Sequence, residues 1–349
     1  MIVGDLFAGV GGMSEGFRQA GFEIAFAVEF DKGIAEAYRL NHQNTDVYAE
    51  DICQINIEQL YRKHPKIDVI IGGPPCQGFS QKGKRLNIDD PRNFLFKQYV
   101  KFVRVFSPKY FVLENVPNII TTSDGFFKDQ IVNAFESLGY KVKYGILNAA
   151  DFGVPQDRRR AIFIGQLGEN TLDLPKGNGR RTTIKDAIYD LPFINSGEGE
   201  EISKYDKLPE TEYQYEMRKD SDILYNHVAT KHSELALERL ALIPKGAGKE
   251  VLPLKHRTKS IYSGTWSRLL EDGIAATITT RFDTPSSGRF THPILNRCLT
   301  TREAARIQSF PDSFIFYGTK TLQMKEVGNA VPPLLAKAIA LEIINNENL

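Results

Sequence analysis

"IVGDLFAGVGGMSEGFRQAG", residues Ile2–Gly21, decides the fold. "IVGDLF" has the apolar composition of a buried strand, and "AGVGG" is a turn rich in glycine. "MSEGFRQA" is a helix closed by Gly21 as its C-terminal stop. A strand that passes through a glycine turn into a helix is the first unit of an alternating α/β sheet. The pattern repeats along the first half. "IAFAV" (24–28), "IDVIIGG" (67–73), "YFVLEN" (110–115) and "AIFIG" (161–165) read as strands. "KGIAEAYRL" (32–40) and the stretches 93–106 and 124–138 read as helices. The expectation is an α/β fold, a doubly wound parallel sheet with helices on both faces, whose ligands bind beyond the carboxyl ends of the strands. The glycine loop, Glu114 and Cys76 all fall at such ends, so three segments distant in sequence should converge on one crevice.

Beyond residue 183 the alternation fades. The acidic segment 195–222 reads as a solvated excursion, and "SELALERLALI" (233–243) as an amphipathic helix. A polar, basic tract follows, containing "KHRTKSIYSGTWSR" and "ATITTRFDTPSSGRFTHP". Helical signals return in "TREAARIQSF" (301–310) and "PPLLAKAIALEIINN" (332–346). The plan expected is a domain over 1–182, a loop-rich domain over 183–300, a hinge over 301–324 and a segment over 325–349 that returns to the first domain.

Bulk composition constrains function loosely. The 349 residues suggest roughly two domains. A net charge of +1 excludes an overall polyanion-binding character, so any nucleic-acid surface must be local. Three cysteines, Cys53, Cys76 and Cys298, lie far apart and make neither a disulfide framework nor a zinc site. His227 and His232 lack ligand spacing, and no metal is expected. No apolar run is read as approaching the ~20 residues of a membrane span, so a soluble, cytoplasmic chain is expected.

Gly9-Val-Gly11 after a strand resembles a dinucleotide fingerprint, but Ser14 stands at the third glycine position. Glu29 ends the second strand twenty residues after Gly9, where a carboxylate reaches ribose hydroxyls. Asp51-Ile52 is placed at the end of a third short strand, where the acid could accept from an adenine amino group. Phe7 offers a stacking face. These groups suit a nucleoside without requiring a pyrophosphate, so S-adenosylmethionine fits better than NAD.

In "IIGGPPCQGFS" (70–80) an apolar strand runs into two glycines and two prolines. Neither proline can donate to a sheet ladder, so the chain leaves the sheet and carries Cys76 into a turn. A cysteine after a strand is ordinarily a small buried residue; two prolines before it and an acidic strand end at Glu114 argue for chemistry. Cys53 and Cys298 have nothing nearby to activate them, and Trp266 reads as a core anchor.

"DLFAGVGG", "GGPPCQGFS", "ENV", "QDRRR", "REAARIQSFP" and "GNAVPP", in that order, resemble the motif series of DNA (cytosine-5) methyltransferases of bacterial restriction-modification systems. The resemblance covers nearly the whole chain except roughly 183–290. It implies a Rossmann-like S-adenosylmethionine-dependent methyltransferase domain with a smaller target-recognition domain. It implies that Cys76 is the thiolate that adds to carbon 6 of cytosine, that Glu114 holds the ring N3, that Arg160 contacts O2, and that Arg158 stands beside the cysteine loop. Arg159 reads as a solvated arginine. Phe7, Gly9, Gly11, Glu29, Asp51, Ile52, Pro75, Leu95 and Asn329 fall at cofactor positions.

The partner expected is double-stranded DNA, with a cognate restriction endonuclease acting on the same site without a stable complex, and a monomeric enzyme. Ser80, Gln81, Lys82, Lys84 and Arg85 would contact DNA from the loop after Cys76, with Gln81 or Lys82 filling the space left by a flipped base. Thr277 and Arg281 belong to the tract expected to read base edges. An RNA cytosine-5 methyltransferase or a catalytically silent DNA-binding homologue would use the same motifs. The insertion after 183 favours a DNA reader, and intact Cys76, Glu114 and Arg160 favour activity. An NAD oxidoreductase is disfavoured by Ser14.

Overall fold

Among the described residues, one sheet has seven strands, side by side in the order Asp46–Tyr48, Glu23–Val28, Ile2–Leu6, Val69–Gly72, Tyr110–Asn115, Arg159–Leu167 and Tyr140–Asn148. The computed structural model describes residues 1–75, 94–258 and 264–347. In chain order the first elements are β1 (Ile2–Leu6), α1 (Gly12–Gln19), β2 (Glu23–Val28), α2 (Lys32–Asn41) and β3 (Asp46–Tyr48). Next come α3 (Ile57–Lys63), β4 (Val69–Gly72), α4 (Phe94–Phe106), β5 (Tyr110–Asn115), α5 (Asn118–Thr121) and α6 (Phe126–Glu136). Then β6 (Tyr140–Asn148), β7 (Gln156–Asp157) and β8 (Arg159–Leu167) follow. The later part holds α7 (Ile184–Ile188), β9 (Gly199–Ser203), α8 (Glu212–Arg218), β10 (Leu224–Val228) and α9 (Glu234–Ala241). It ends with β11 (Ala275–Ala276), α10 (Thr301–Ile307), α11 (Lys320–Asn329) and α12 (Pro333–Glu347).

The chain divides into two compact units. The first comprises 1–148, 159–177 and 333–349; the second comprises 149–158 and 178–332. The second unit thus includes 301–324, which the sequence reading set apart as a hinge, and extends to 332. The returning segment begins at Pro333 rather than 325, because the break between α11 and α12 falls at 330–332.

In the first unit β1 pairs in parallel with β2 on one side and β4 on the other. The winding direction therefore reverses at β1/β4, the switch point where such sheets open a crevice. Glycines set this geometry. A Cβ on Gly72 would sit 2.2 Å from the Leu6 carbonyl oxygen, and one on Gly4 would sit 2.4 Å from the Phe26 ring. Leu6, Phe26, Ile70, Tyr99, Phe102, Phe111, Phe135 and Phe163 are buried in one core on this sheet. The Tyr99 hydroxyl donates to the carbonyls of Ile70 (3.1 Å) and Val112 (2.9 Å), so the largest polar group in that core is satisfied.

Two sequence expectations need correction here. The sheet is not wholly parallel: β8 runs antiparallel to both β5 and β6. The short third strand also ends at Tyr48, so Asp51-Ile52 lies in the turn beyond it, not at a strand end.

The C-terminal segment packs on the first helix. A Cβ on Gly16 of α1 would lie 2.4 Å from the Pro333 carbonyl and 2.5 Å from the Ala336 Cβ of α12. Lys320–Glu347 contains an 18-residue window apolar enough for a membrane span by length and composition alone, but 61% of that window is buried inside the protein. Leu334, Leu335, Ile339 and Ile343 of α12 are core residues. Packing accounts for this stretch.

The second unit is built on polar groups more than on sheets. Among the described residues its strands form two small pairs, β9 with β10 and β7 with β11. The acidic stretch 195–222 is not a mere solvated excursion: Tyr213, Gln214 and Met217 of α8 are buried. Arg297, Arg302 and Arg306 are wholly buried. Arg306 binds Asp190 through two bonds of 3.1 Å and also holds Asp312. Arg297 forms a two-pronged pair with Glu303 at 2.7 and 2.8 Å. Arg302 donates to the carbonyls of Tyr225, Pro311 and Phe314. Each buried guanidinium meets carboxylates or carbonyls, which is the condition for burying charge at all. Trp266 packs with Leu240, Ile243 and Leu252 in a separate small core.

Candidate active site

The carboxyl ends of β1, β2 and β3 are linked by backbone bonds. The Ala8 N–H donates to the Val28 carbonyl and the Glu29 N–H to the Tyr48 carbonyl, both at 3.0 Å. The loop after β1 turns through left-handed backbone at Phe7 (φ 57°), Gly9 (56°) and Gly11 (94°). At Gly11 the glycine is required twice over, since a Cβ would also strike the His42 ring at 2.5 Å. At Gly9 no atom of the described residues lies within 4 Å of a Cβ.

Glu29 reaches into this loop. One of its oxygens accepts from the Gly9 N–H (2.9 Å) and the other from the Asp31 N–H (2.8 Å). Burial nonetheless raises its pKa, more than these amides lower it. The residue after it, Phe30, is 73% exposed, a large apolar ring left in solvent at the mouth of the loop. Phe30 is absent from the sequence reading; its only signal is its place between Glu29 and the helix-capping Asp31.

Asp51 is partly exposed and accepts from the Cys53 N–H at 2.9 Å, which lowers its pKa. Ile52 is buried, and Phe7 and Leu95 pack at the edge of the same core. Burial, with Asp51 beside it, pushes the Cys53 thiol up to about 11, and burial raises Cys298 further. Neither is disposed to be a thiolate.

Beneath the loop lies Asp5, 1% exposed, accepting from the Ser14 hydroxyl at 2.6 Å. Ser14 in turn accepts from the Tyr38 hydroxyl at 2.7 Å. Ser14 is thus an interior bridge, which explains why a glycine is missing there. Burial, opposed by the Ser14 bond and reinforced by the charge of Glu29, holds the Asp5 carboxyl up at about 7 against an ordinary 3.8. The folded state binds this proton more tightly than the unfolded chain does. Asp5 therefore contributes stability that is full below about pH 4 and is lost as pH rises toward 7. Asp5→Asn keeps an acceptor for Ser14 and cannot ionise. Denaturant titrations at pH 5 and pH 8 should show the variant gaining on wild type at the higher pH; an equal gap at both would mean that Asp5 is not desolvated.

A second group of residues stands where β5 and β8 run side by side. The Arg160 Nε lies 2.8 Å from a Glu114 oxygen, and each side chain is 14% exposed. The other Glu114 oxygen faces Gly73 so closely that a Cβ there would come within 2.9 Å of it. The Asn115 amide donates to the Pro74 carbonyl at 2.9 Å. Gly73 and Pro74 lead directly to Pro75, so the end of β5 is fastened to the chain leaving β4. Asn115 is another residue that sequence reasoning left unassigned, although it stands next to Glu114 in "ENV". Cys76, Ser80, Gln81, Lys82, Lys84 and Arg85 lie outside the described residues.

Arg158, Thr277, Arg281 and Asn329 belong to the second unit. Arg158 is buried and donates to the carbonyls of Ile278 (3.1 Å) and Gly328 (2.9 Å). The Thr277 hydroxyl donates to the Asp157 carbonyl at 2.8 Å. Arg281 is exposed and lies 3.5 Å from Asp283. Asn329 is the exposed last residue of α11. Arg159 is exposed, as expected.

The family model for C-5 cytosine-specific DNA methylases matches residues 1–345. Type II methyltransferase M.DdeI of Desulfomicrobium norvegicum is 40% identical over 99% of this chain and 91% of its own length. Type II methyltransferase M1.HphI of Haemophilus parahaemolyticus is 39% identical, over 97% of this chain and 86% of its own. The crystal structure of a DNA modification methyltransferase candidate encoded within an E. coli prophage superposes with a TM-score of 0.82 at 30% identity, covering both chains completely. A match of this extent, on a sheet whose switch point carries the glycine loop and whose neighbouring strand end carries the Glu114–Arg160 pair, leaves one assignment: the chain belongs to the C-5 cytosine-specific DNA methylase family and is a DNA (cytosine-5) methyltransferase.

Proposed function

We propose that the protein methylates carbon 5 of a cytosine flipped out of a specific duplex sequence, through a covalent bond between Cys76 and carbon 6. The observation that carries this reading is the Glu114–Arg160 pair at the root of the Cys76 segment. Carbon 5 of cytosine is a weak nucleophile. A thiolate adding to carbon 6 makes the ring enamine-like, and the charge that builds on N3 needs a partner. Glu114 holds or protonates N3, while the Arg160 guanidinium keeps the carboxyl oriented and offers donors to O2. Arg158, from the same motif as Arg160, holds the carbonyls of Ile278 and Gly328. Loss of the carbon 5 proton and release of the thiol then free 5-methylcytosine.

S-adenosylmethionine supplies the methyl group as a sulfonium electrophile. The residues at the β1–β3 ends fit it. Glu29 stands where ribose hydroxyls are bound, Phe30 and Phe7 offer ring faces for adenine, and Asp51 accepts from an adenine amino group. The loop residues 7–14 contain no cation, and the Glu29 carboxyl group lies beside them. Such a site suits a cationic ligand and disfavours a pyrophosphate. Gly9, Gly11, Ile52, Pro75 and Leu95 shape this pocket, and Asn329 contributes to cofactor binding through "GNAVPP". Glu29→Ala and Phe30→Ala should each weaken S-adenosylmethionine binding by roughly 1–3 kcal/mol, through a lost charged hydrogen bond and a lost stacking face respectively. Calorimetry on the folded variants reads this directly, and unchanged affinity would refute the placement.

The second unit reads the target, with Thr277 and Arg281 in the reading tract, and the loop bearing Ser80, Gln81, Lys82, Lys84 and Arg85 grips the phosphates. The enzyme acts as a monomer in the bacterial cytoplasm and protects host DNA from an endonuclease that cuts the same site. Bisulfite sequencing of a plasmid from cells expressing the chain tests the whole reading. One recurring sequence with a protected cytosine is the expected result. Complete conversion of the plasmid by a folded, expressed protein would sink it, and methylation found on RNA instead would favour the RNA reading.

A further inference from the structure

Within the second unit, Ile278 is wired to the residues around Asn329 by two separate routes. The first runs through two buried amides. The Ile278 N–H donates to the Gln156 side-chain oxygen at 2.7 Å, and the Gln156 amide nitrogen donates to the Gln308 side-chain oxygen at 2.7 Å. The Gln308 amide nitrogen donates in turn to the Val327 carbonyl at 2.7 Å and to the Ala330 carbonyl at 3.4 Å. The second route is the Arg158 guanidinium, which joins the Ile278 and Gly328 carbonyls. Gln156 and Gln308 have no exposed surface. Direct contact reinforces the wiring, since a Cβ on Gly328 would meet the Thr279 carbonyl oxygen at 2.4 Å. The carbonyls of 327, 328 and 330 bracket Asn329: the Gly328 carbonyl shares Arg158 with Ile278, and those of Val327 and Ala330 are held by Gln308, which reaches Ile278 through Gln156.

The polarity of the amide chain is fixed. Each glutamine accepts on its oxygen and donates from its nitrogen, so neither can turn over without breaking two bonds in a site closed to water. A shift of the 277–280 backbone is therefore transmitted to 327–330 with little slack.

We infer that Gln156 and Gln308 are positioning residues that couple the DNA-reading backbone at 277–280 to the cofactor-binding turn at 327–330, so that each ligand tightens the other. This rests on the proposed roles of Thr277 and Asn329. Coupling between two sites is reciprocal. DNA that fixes Ile278 fixes the carbonyls around Asn329, and cofactor that orders Asn329 pre-orders the reading tract.

The test uses S-adenosylhomocysteine and a duplex carrying the site found by bisulfite sequencing. In wild type, each should raise the affinity for the other by about tenfold, within the usual range for coupled sites. In Gln308→Met and Gln156→Met, which replace the amide with an apolar chain of similar length, the enhancement should fall to about twofold or less, with each ligand alone bound within about threefold of wild type. A merely structural role would lower both affinities and leave their ratio intact. One measurement needs no substitution: S-adenosylhomocysteine alone should slow hydrogen exchange at the Ile278 amide of wild type. Undiminished coupling in a folded variant, absent coupling in wild type, or unchanged exchange at Ile278 would each overturn the inference. Wild-type protein that binds neither ligand would remove the functional reading, and this inference with it.

Discussion

DNA bearing 5-fluorocytosine at the target position should capture the enzyme in a complex that survives denaturation, with the link on Cys76. The thiolate bonds to carbon 6 and carbon 5 accepts the methyl group. The carbon 5 substituent must then leave as a cation for the thiol to be expelled. A proton can do this and fluorine cannot, so the adduct persists. Capture should require S-adenosylmethionine, and peptide mapping should place the bond. Cys76→Ala should bind DNA and cofactor yet neither trap nor methylate. A link mapped to Cys53 or Cys298 would overturn the mechanism, and the raised pKa of both thiols argues against either.

The second large effect concerns the carboxylate. Glu114→Gln keeps the shape of the side chain and removes its ability to take up charge. It should lower kcat by about 10²–10⁴-fold, the range for a positioned acid–base group, with cofactor affinity little changed. Arg160→Lys should also be slow. A lysine ammonium cannot present the planar fork that both orients the Glu114 oxygen at 2.8 Å and keeps donors for the base. If Glu114→Gln turns over at the wild-type rate, N3 is served by some other group. If Arg160→Lys restores full activity, the guanidinium acts only as a charge.

Much of this arrangement is legible in the residues. β5 is "YFVLEN" from sequence and structure alike, because an apolar run buried on both faces, with an acid near its end, leaves little ambiguity. The direction of β8 is not legible. Its run "RRAIFIGQL" is apolar on both faces, and that pattern is the same whichever way the strand points. β6, "YKVKYGILN", alternates as a half-exposed edge strand and is easily lost among its lysines. β3 has three half-buried residues, too few for a period, so the sequence does not show that the strand stops at Tyr48, short of Asp51.

In the site, Glu29 and Glu114 stand out because acids near the ends of apolar strands are conspicuous. Phe30 does not, because a phenylalanine beside a strand ordinarily signals core, and only coordinates reveal its exposure. Buried arginines are hidden for the converse reason. Arg302 and Arg306 share a helix face, but charge is expected outside, and their partners Asp190 and Asp312 lie far off or past the helix end.

The return of the chain at Pro333 sets a timetable for synthesis. Between residue 177 and the segment that completes the first unit lie about 155 residues of the second. At translation rates of roughly 5–20 residues per second, the ribosome spends about 8–30 s making them. Throughout that interval α1 is already outside the ribosome, and the surface that Gly16 presents to Pro333 and Ala336 is bare. A nascent chain thus carries an uncovered helix face and an incomplete first unit until residues 333–349 emerge. A chaperone that shields α1 during the wait would raise the yield of folded protein.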